Sequence, residues 1–112
     1  MSVEHDAMSG LLAGLRVVDL SRNLPGPFCT RMLADLGATI IKVEPPEGDP
    51  TRPLGPLFDA LNHGKESRRI DFRQAADLDQ LREWLVNADV MVDSFRPGIL
   101  QSMGLDFERL QT

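Results

Sequence analysis

Short apolar runs alternate with amphipathic stretches along the chain. Four of these runs predict β-strands, at residues 16–20, 39–43, 67–72 and 90–92, the third being the weakest. They are rich in β-branched or other apolar residues and are bounded by turn formers, which is typical of strands. The fourth run is apolar without alternation, as expected of a strand that is covered on both faces.

Between the strands, apolar residues recur three and four positions apart, which indicates helices. The spacing predicts a helix over 28–36, opened by Pro27 and followed by Gly37 as a terminator, and a second helix over 75–87. Shorter helical segments are predicted at residues 57–62, 97–103 and 107–110.

The alternation of strands and helices predicts an α/β fold, with a Rossmann-like parallel sheet flanked by helices. Residues 1–10 are polar and aperiodic, so we expect a disordered tail there and a single domain over residues 11–112. The proline-rich loop over 44–56 is long for a compact domain, which indicates a function or a partner surface. The segment 107–110 begins a helix without a cap, so we expect an incomplete half of a larger fold.

Composition narrows the classes of function. The chain has 112 residues, enough for one domain, and its formal net charge of −5 argues against nucleic-acid binding. A single cysteine excludes an intramolecular disulfide framework and a multi-cysteine metal site, and only two histidines are present as other zinc ligands. The N-terminus lacks a basic region, and the apolar stretch 11–13 is too short for a signal peptide or a membrane span. We therefore expect a cytoplasmic protein with no metal, membrane or nucleic-acid partner.

Motifs for nucleotide phosphates and for catalysis are weak or missing. The segment 21–27 has one glycine where a dinucleotide fingerprint needs G-x-G-x-x-G, and no P-loop motif occurs. We expect Cys29 to be a buried structural cysteine, His63 a solvated or capping residue and Asp19 a turn-capping residue, because no acid–base or triad spacing connects them. No catalytic residue is assigned.

Two groups of side chains are candidates for binding a phosphorylated, adenine-bearing molecule. The first is a basic cluster within nine residues, made of Lys65, Arg68, Arg69 and Arg73. Such a cluster can bind phosphates, or it can be a solvated charged surface. The second group follows the fourth strand and consists of Ser94, Phe95 and Arg96. Its ring and guanidinium can hold an adenine, or Phe95 can simply pack on the core in a strand–helix turn.

Longer motifs resemble a known family. They include Ile41-Lys42-Val43-Glu44-Pro45-Pro46, and the full set lies at residues 15–21, 25–27, 33–38, 41–46, 48–52, 62–65, 88–98 and 103–105. In this order, nearly without gaps and from about residue 12 to the end, the chain resembles the class III coenzyme A (CoA) transferase family of the CaiB/BaiF type. Each motif alone is weak, whereas the set is highly specific.

The resemblance implies a Rossmann-like half-domain that contributes to a CoA site, in proteins that are much longer and form interlocked homodimers. The family's transferases move CoA between an acyl-CoA and a carboxylic acid through an aspartate nucleophile. That nucleophile lies downstream of the matched region, so the chain is expected to be an N-terminal fragment that is inactive alone. CoA or acyl-CoA enters as a substrate, and no tightly bound cofactor is expected.

The resemblance also carries CoA contacts over to three segments of this chain. These are Leu24 and Pro25, then Ile70, Asp71, Phe72 and Arg73, and then Ser94, Phe95 and Arg96. Arg73 stands where the family pattern has a cation near phosphate. Pro45 and Ser102 each stand where some members carry a CoA-binding arginine, and the rest of the basic cluster is the candidate to compensate.

Other interpretations stay open at this stage. One alternative is that the chain is a fragment of a 2-methylacyl-CoA racemase. These racemases share the fold of the transferases but use an acid–base pair that lies downstream of the matched region. The chain can also be a stand-alone, non-catalytic module that binds CoA or a protein, or a truncated reading frame without a function. Because a half-fold should leave an apolar face uncovered, we expect a homodimer or complementation by a C-terminal portion.

Overall fold

Four parallel strands form one sheet at the centre of the molecule. In the computed structural model, which describes residues 10–105, they are β1 (Arg16–Leu20), β2 (Thr39–Glu44), β3 (Glu66–Arg69) and β4 (Val90–Asp93). The order across the sheet is β3-β2-β1-β4, and all three neighbouring pairs are parallel. This arrangement confirms the predicted α/β fold with a parallel sheet.

Helices connect the strands as parallel pairing requires. They are α1 (Gly26–Asp35), α2 (Pro56–Asn62), α3 (Ala75–Val86) and α4 (Ile99–Ser102), with a 3-10 turn at Arg52–Leu54 ahead of α2. The helix α1 is tied to α2 by a hydrogen bond from the Arg31 guanidinium to the Ala60 carbonyl. The longest of these helices, α3, has 12 residues, and none within residues 10–105 is long and apolar enough to cross a membrane.

Several boundaries differ from the predicted ones for local reasons. The strand β3 ends at Arg69, because after Ile70 the amide of Asp71 turns away to donate to the Asp77 carboxylate of α3. The helix α4 is shorter than predicted because Gly98 takes the left-handed conformation, with φ at 90°, just before it. The predicted tail over 1–10, apart from residue 10, and the predicted helix over 107–110 lie outside the described residues.

The two faces of the sheet carry separate apolar clusters, because neighbouring residues of a strand point to opposite faces. Val18 and Leu20 of β1 join Leu81 and Leu85 of α3 in the larger cluster. Val17 belongs to the smaller cluster with residues of β2 and α1. The sheet is therefore covered by α1 and α2 on one face and by α3 on the other.

The two edges of the described sheet differ in character. The edge strand β3 presents four exposed residues, three of them charged, and charges protect an edge against pairing with another chain. The apolar residues of β4 are only half-buried, because β4 has a neighbour on one side alone within the described residues. Met91 packs against the larger cluster and Val90 and Val92 against the smaller one, so both faces of this strand are covered as predicted, although only in part.

Candidate functional site

The carboxyl ends of all four strands lie at one edge of the sheet, because the strands are parallel. Ligands of open α/β sheets bind in the crevice outside this edge. The three segments matched to CoA contacts follow the ends of β1, β3 and β4. We call this edge, with the segments 21–25, 70–73 and 94–96, the carboxyl rim.

The first rim segment is the turn between β1 and α1, and Asp19 fixes it from below. One carboxylate oxygen of Asp19 accepts hydrogen bonds from the Ser21 hydroxyl and, at 2.8 Å, from the Ser21 amide. Its other oxygen accepts from the Thr30 hydroxyl of α1 at 2.5 Å. Leu24 projects from this turn with 60% of its surface exposed, and Pro25 beside it is exposed as well. The prediction that Asp19 caps a turn is confirmed.

The third rim segment is joined to the first by Ser94. Its hydroxyl oxygen accepts a hydrogen bond from the Arg22 amide at 2.9 Å. In the same turn, the Phe95 amide donates to the Asp93 carboxylate at 3.1 Å. Ser94, although exposed, therefore holds the turn after β1 against the end of β4 through an intramolecular hydrogen bond.

The second rim segment combines a buried anchor with exposed charges. Ile70 is 2% exposed and belongs to the larger apolar cluster, so its side chain contributes to the core. Asp71 accepts hydrogen bonds from the amide and the guanidinium of Arg73, each at 3.0 Å, and these bonds lower the pKa of Asp71. The Arg73 side chain is 83% exposed, so its guanidinium can exchange this contact for a phosphate.

An aromatic pair connects the second and third rim segments. The rings of Phe72 and Phe95 meet edge to face, with their centroids 6.0 Å apart and an angle of 89° between the planes. Both rings are half-buried and pack against the larger apolar cluster, and Arg96 next to them is exposed. Phe95 thus packs on the core and keeps part of its surface exposed, so the two interpretations of Phe95 do not exclude each other.

The basic cluster is divided by the structure. Lys65 is buried, and its ammonium lies 3.1 Å from the Asp19 carboxylate, so it is unavailable to a phosphate in solution. Arg68 pairs with Glu66 on the exposed edge strand. Arg69 donates to the Pro46 carbonyl at 2.7 Å, which places its guanidinium next to the loop that begins at Pro45. The hypothesis that all four cations bind phosphate as one group is therefore wrong, because Lys65 is buried. The three arginines of the cluster remain exposed.

A buried ionic network lies on the face of the sheet that α1 and α2 cover, and it was not predicted from the sequence. Lys42 lies 2.8 Å from the Asp49 carboxylate, and both side chains are almost fully buried. Glu44 forms a two-pronged pair with Arg52, with both N–O distances at 2.6 Å, and the Arg52 guanidinium lies 4.4 Å from the centre of the Phe58 ring. This network folds the proline-rich loop over 44–56 back onto the strand ends.

The network lowers the pKa of both of its carboxyl groups, Glu44 and Asp49. Burial acts to raise the pKa of Glu44, but hydrogen bonds from Arg52, Ser67 and the Asp49 amide outweigh it and lower the pKa to about 2. For Asp49, burial is likewise outweighed by hydrogen bonds from Lys42 and Thr51, which lower its pKa to about 2. A signal for this network existed in the sequence, because Lys42 and Glu44 occupy alternate positions of the otherwise mostly apolar strand β2.

The remaining single-residue predictions have mixed outcomes. Cys29 is exposed on α1, so the prediction of a buried structural cysteine is wrong. The reason is that the Thr30 side chain of α1 faces the sheet and donates to Asp19, whereas Cys29, one position earlier on the helix, lies at the surface. His63 is exposed just after α2, as predicted for a solvated residue. Within residues 10–105, no group of three or more histidine, cysteine, aspartate or glutamate side chains is placed to hold a metal ion.

Together, the fold and the carboxyl rim define the class of protein: a Rossmann-like α/β unit whose parallel strands end at one edge, where ligands of open α/β sheets bind. The family model of CoA-transferase family III matches residues 12–112. The chain therefore belongs to CoA-transferase family III, which confirms the resemblance drawn from its motifs.

Individual relatives agree with this membership. The chain is 40% identical over 100 residues to the CoA-transferase/lyase DddD of Marinomonas sp. (strain MWYL1), covering 89% of this chain and 12% of that protein. It is 41% identical over 109 residues to the acetyl-CoA:oxalate CoA-transferase of Acetobacter aceti, covering 90% of this chain and 28% of that protein. The chain thus spans less than a third of the length of either relative.

A solved structure gives the same result for the fold. A CAIB/BAIF family protein from Brucella suis superimposes with a TM-score of 0.83 at 43% identity, covering 89% of this chain and 30% of that one. The agreement covers most of this chain and less than a third of the larger protein. The fold is therefore that of one portion of a longer family member.

Proposed function

We propose that this chain is the N-terminal, CoA-binding portion of a CoA-transferase that moves CoA between an acyl-CoA and a carboxylic acid. One observation carries the proposal: the three segments matched to CoA contacts all lie at the carboxyl rim. Two of the connections between them are direct, through Arg22 with Ser94 and through Phe72 with Phe95. In this proposal CoA or acyl-CoA is a substrate, and the reacting groups belong to the part of the enzyme that the chain does not span.

The rim residues take different parts in this proposal. The exposed Leu24 and Pro25 offer an apolar surface and a fixed turn to the pantetheine arm. Phe95 and Arg96 offer a ring edge and a guanidinium to the adenine. Arg73 is the cation for a phosphate of CoA, because it is exposed and held only by a surface pair that contributes little to stability.

Arg69 is our candidate for a second phosphate contact. Its guanidinium sits at the loop beside Pro45, the position where some family members carry an arginine. Lys65 is excluded from this role because it is buried against Asp19. Ser102 offers no replacement charge, and its hydroxyl already donates to the Ile99 carbonyl at 2.6 Å.

The test is titration calorimetry of the purified chain with CoA and with dephospho-CoA, which lacks the 3′-phosphate. We expect Arg73→Gln to weaken CoA binding by about 10- to 150-fold, since a hydrogen bond to a charged group contributes about 1.5–3 kcal/mol. Arg82→Gln is the matched control, because Arg82 is an exposed arginine paired with Asp79 on α3, away from the rim. Equal affinities of the wild type and Arg73→Gln for CoA would contradict the assignment of Arg73.

The chain alone should not catalyse transfer. We expect no exchange of CoA between succinyl-CoA or acetyl-CoA and free carboxylates above the uncatalysed rate, measured by chromatography of the acyl-CoA pool. Measurable turnover by the purified chain would contradict the proposal that the nucleophile lies elsewhere.

Assembly with a second copy or with a C-terminal portion belongs to the same proposal, as does a place in the cytoplasm. Apolar side chains support an uncovered surface, with Phe28 at 54% and Met32 at 49% exposure on α1 and Leu57 exposed on α2. The apolar edge at β4 adds backbone groups that a further strand can pair. Light scattering should detect more than a monomer, and a monomer that binds no hydrophobic dye would contradict the proposal.

A further inference from the structure

We propose that Asp19 and Lys65 are positioning residues of the carboxyl rim: their buried ion pair fixes the turn over 21–25 and thereby sets the affinity for CoA without touching it. This inference rests on the proposed function, because it assumes that the turn contacts CoA. It adds two residues to the site that the resemblance did not supply.

The first step concerns how completely the pair is enclosed. The Lys65 side chain is 1% exposed and that of Asp19 is 0% exposed. An ammonium group has three N–H donors. Those of Lys65 meet three acceptors: the Asp19 carboxylate at 3.1 Å, the Pro27 carbonyl at 3.0 Å and the Asn62 side-chain oxygen at 2.9 Å. The charge is therefore fully satisfied in one geometry.

The second step concerns which parts of the chain the pair joins. Asp19 lies in β1, Pro27 in the first turn of α1, Asn62 at the end of α2, and Lys65 just before β3. Lys65 follows Asp19 by 46 residues and Pro27 by 38, so the ion pair joins parts of the chain that are distant in sequence. Moving any one of them separates two buried charges or leaves a buried donor unpaired, which is strongly unfavourable.

The third step connects the pair to the rim. The Ser21 amide donates to the same carboxylate, at 2.8 Å, so the first residue of the turn is held by Asp19. The next amide, that of Arg22, donates to Ser94. The buried pair thus fixes the turn at Ser21, and Ser94 at the end of β4 fixes it at Arg22. A binding site keeps a precise geometry when neighbouring residues hold its contact residues in place in this way.

The experiment compares variants of the full chain. Asp19→Val/Lys65→Met removes both charges together and also removes the acceptor of the Ser21 amide. Methionine fills the space of the Lys65 side chain, and valine is favoured in a strand such as β1. Asp19→Asn/Lys65→Met removes the charges but keeps a side-chain oxygen that can accept from Ser21. Leu85→Ala is the control for general destabilisation, because Leu85 is a core residue of α3 near its end remote from the rim.

Two readouts are taken at a temperature where every variant is folded: amide hydrogen exchange at Ser21 and Arg22, and the Kd for CoA by calorimetry. Asp19→Val/Lys65→Met should speed Ser21 exchange and weaken CoA binding about tenfold, as expected when a site is displaced slightly. Asp19→Asn/Lys65→Met keeps an acceptor for the Ser21 amide but lacks the ion pair, so it should restore only part of the Ser21 protection and of the CoA affinity. Wild-type values of both would overturn the role of the ion pair. Leu85→Ala should speed exchange throughout the core and leave the Kd within about twofold of wild type.

Failures of the two proposals are separable. A wild-type chain with no measurable CoA affinity would overturn the proposed function, and the role in CoA affinity with it, before any variant is compared. If the wild type binds CoA, unchanged exchange at Ser21 in Asp19→Val/Lys65→Met would overturn the positioning role. Faster exchange at Ser21 with an unchanged Kd would overturn it equally, because the turn would then be loosened without consequence for CoA.

Discussion

Acid should unfold this protein through the two buried carboxylates of the loop over 44–56. The pKa of Glu44 is lowered from its ordinary value of 4.5 to about 2, and that of Asp49 from 3.8 to about 2. A carboxylate whose pKa is lower in the folded state contributes stability above its unfolded pKa. That contribution is lost as the pH falls toward the folded pKa. The window for the loss is therefore between about pH 5 and pH 2.

The magnitude follows from the pKa differences. At about 1.4 kcal/mol per pKa unit, the full contributions are about 3 kcal/mol for Glu44 and about 2 kcal/mol for Asp49. At pH 3 the unfolded carboxyl groups are mostly protonated while the folded ones are still ionised, so about 2 and about 1 kcal/mol have been lost. We expect the free energy of unfolding to fall by about 3 kcal/mol between pH 6 and pH 3 from these two groups.

The assay is urea denaturation followed by circular dichroism at half-unit steps of pH. Glu44→Gln should flatten the pH dependence by about 2 kcal/mol between pH 6 and pH 3, because the group that titrates is gone. Glu66→Gln is the matched control, since the Glu66 side chain is 54% exposed in a surface pair with Arg68. A wild-type free energy of unfolding that changes by less than about 1 kcal/mol over this range would refute the reasoning.

Three further predictions concern packing and the rim. Gly26→Ala should destabilise the chain by about 1–3 kcal/mol in chemical denaturation, because its Cβ would lie 2.6 Å from the Ser21 hydroxyl oxygen; unchanged stability would contradict this close approach. Ser94→Ala should cost about 0.5–1.5 kcal/mol, because the Arg22 amide loses its acceptor, and Ser102→Ala on α4 is the control. Leu81→Ala, at a core position that is 0% exposed, should cost about 2–5 kcal/mol, and a midpoint like that of wild type would show that α3 does not pack on the sheet.

The sequence allowed much of the carboxyl rim to be predicted because the rim depends on local rules. Strands alternating with helices require parallel pairing, and parallel pairing brings the ends of β1, β3 and β4 to one edge. Asp19 could be assigned to a turn from its place at the end of an apolar run, since short acidic side chains bond to nearby amides. These features follow from periodicity and from hydrogen bonds within a few residues.

The exposed face of α1 shows where periodicity fails. Its apolar residues, Phe28 and Met32 among them, recur at helical spacing and predicted the helix, yet both of these side chains are exposed. The helix instead buries Pro27 and Thr30, because the Thr30 hydroxyl donates to Asp19. A helix with apolar residues on several sides has no unique inward face until a tertiary contact selects one.

By itself, then, the chain's order of residues determined the strands, the class of fold and the family, because these depend on short-range patterns and on motifs. Only the tertiary structure decided that Lys65 leaves the basic cluster to pair with Asp19, that Arg52 folds the proline-rich loop onto Glu44, and that Phe72 meets Phe95. The contacts of Lys65 with Asp19 and of Phe72 with Phe95 join residues far apart in the chain, and that of Arg52 with Glu44 depends on how the loop folds. A buried charge takes whichever partner the packed fold brings within reach.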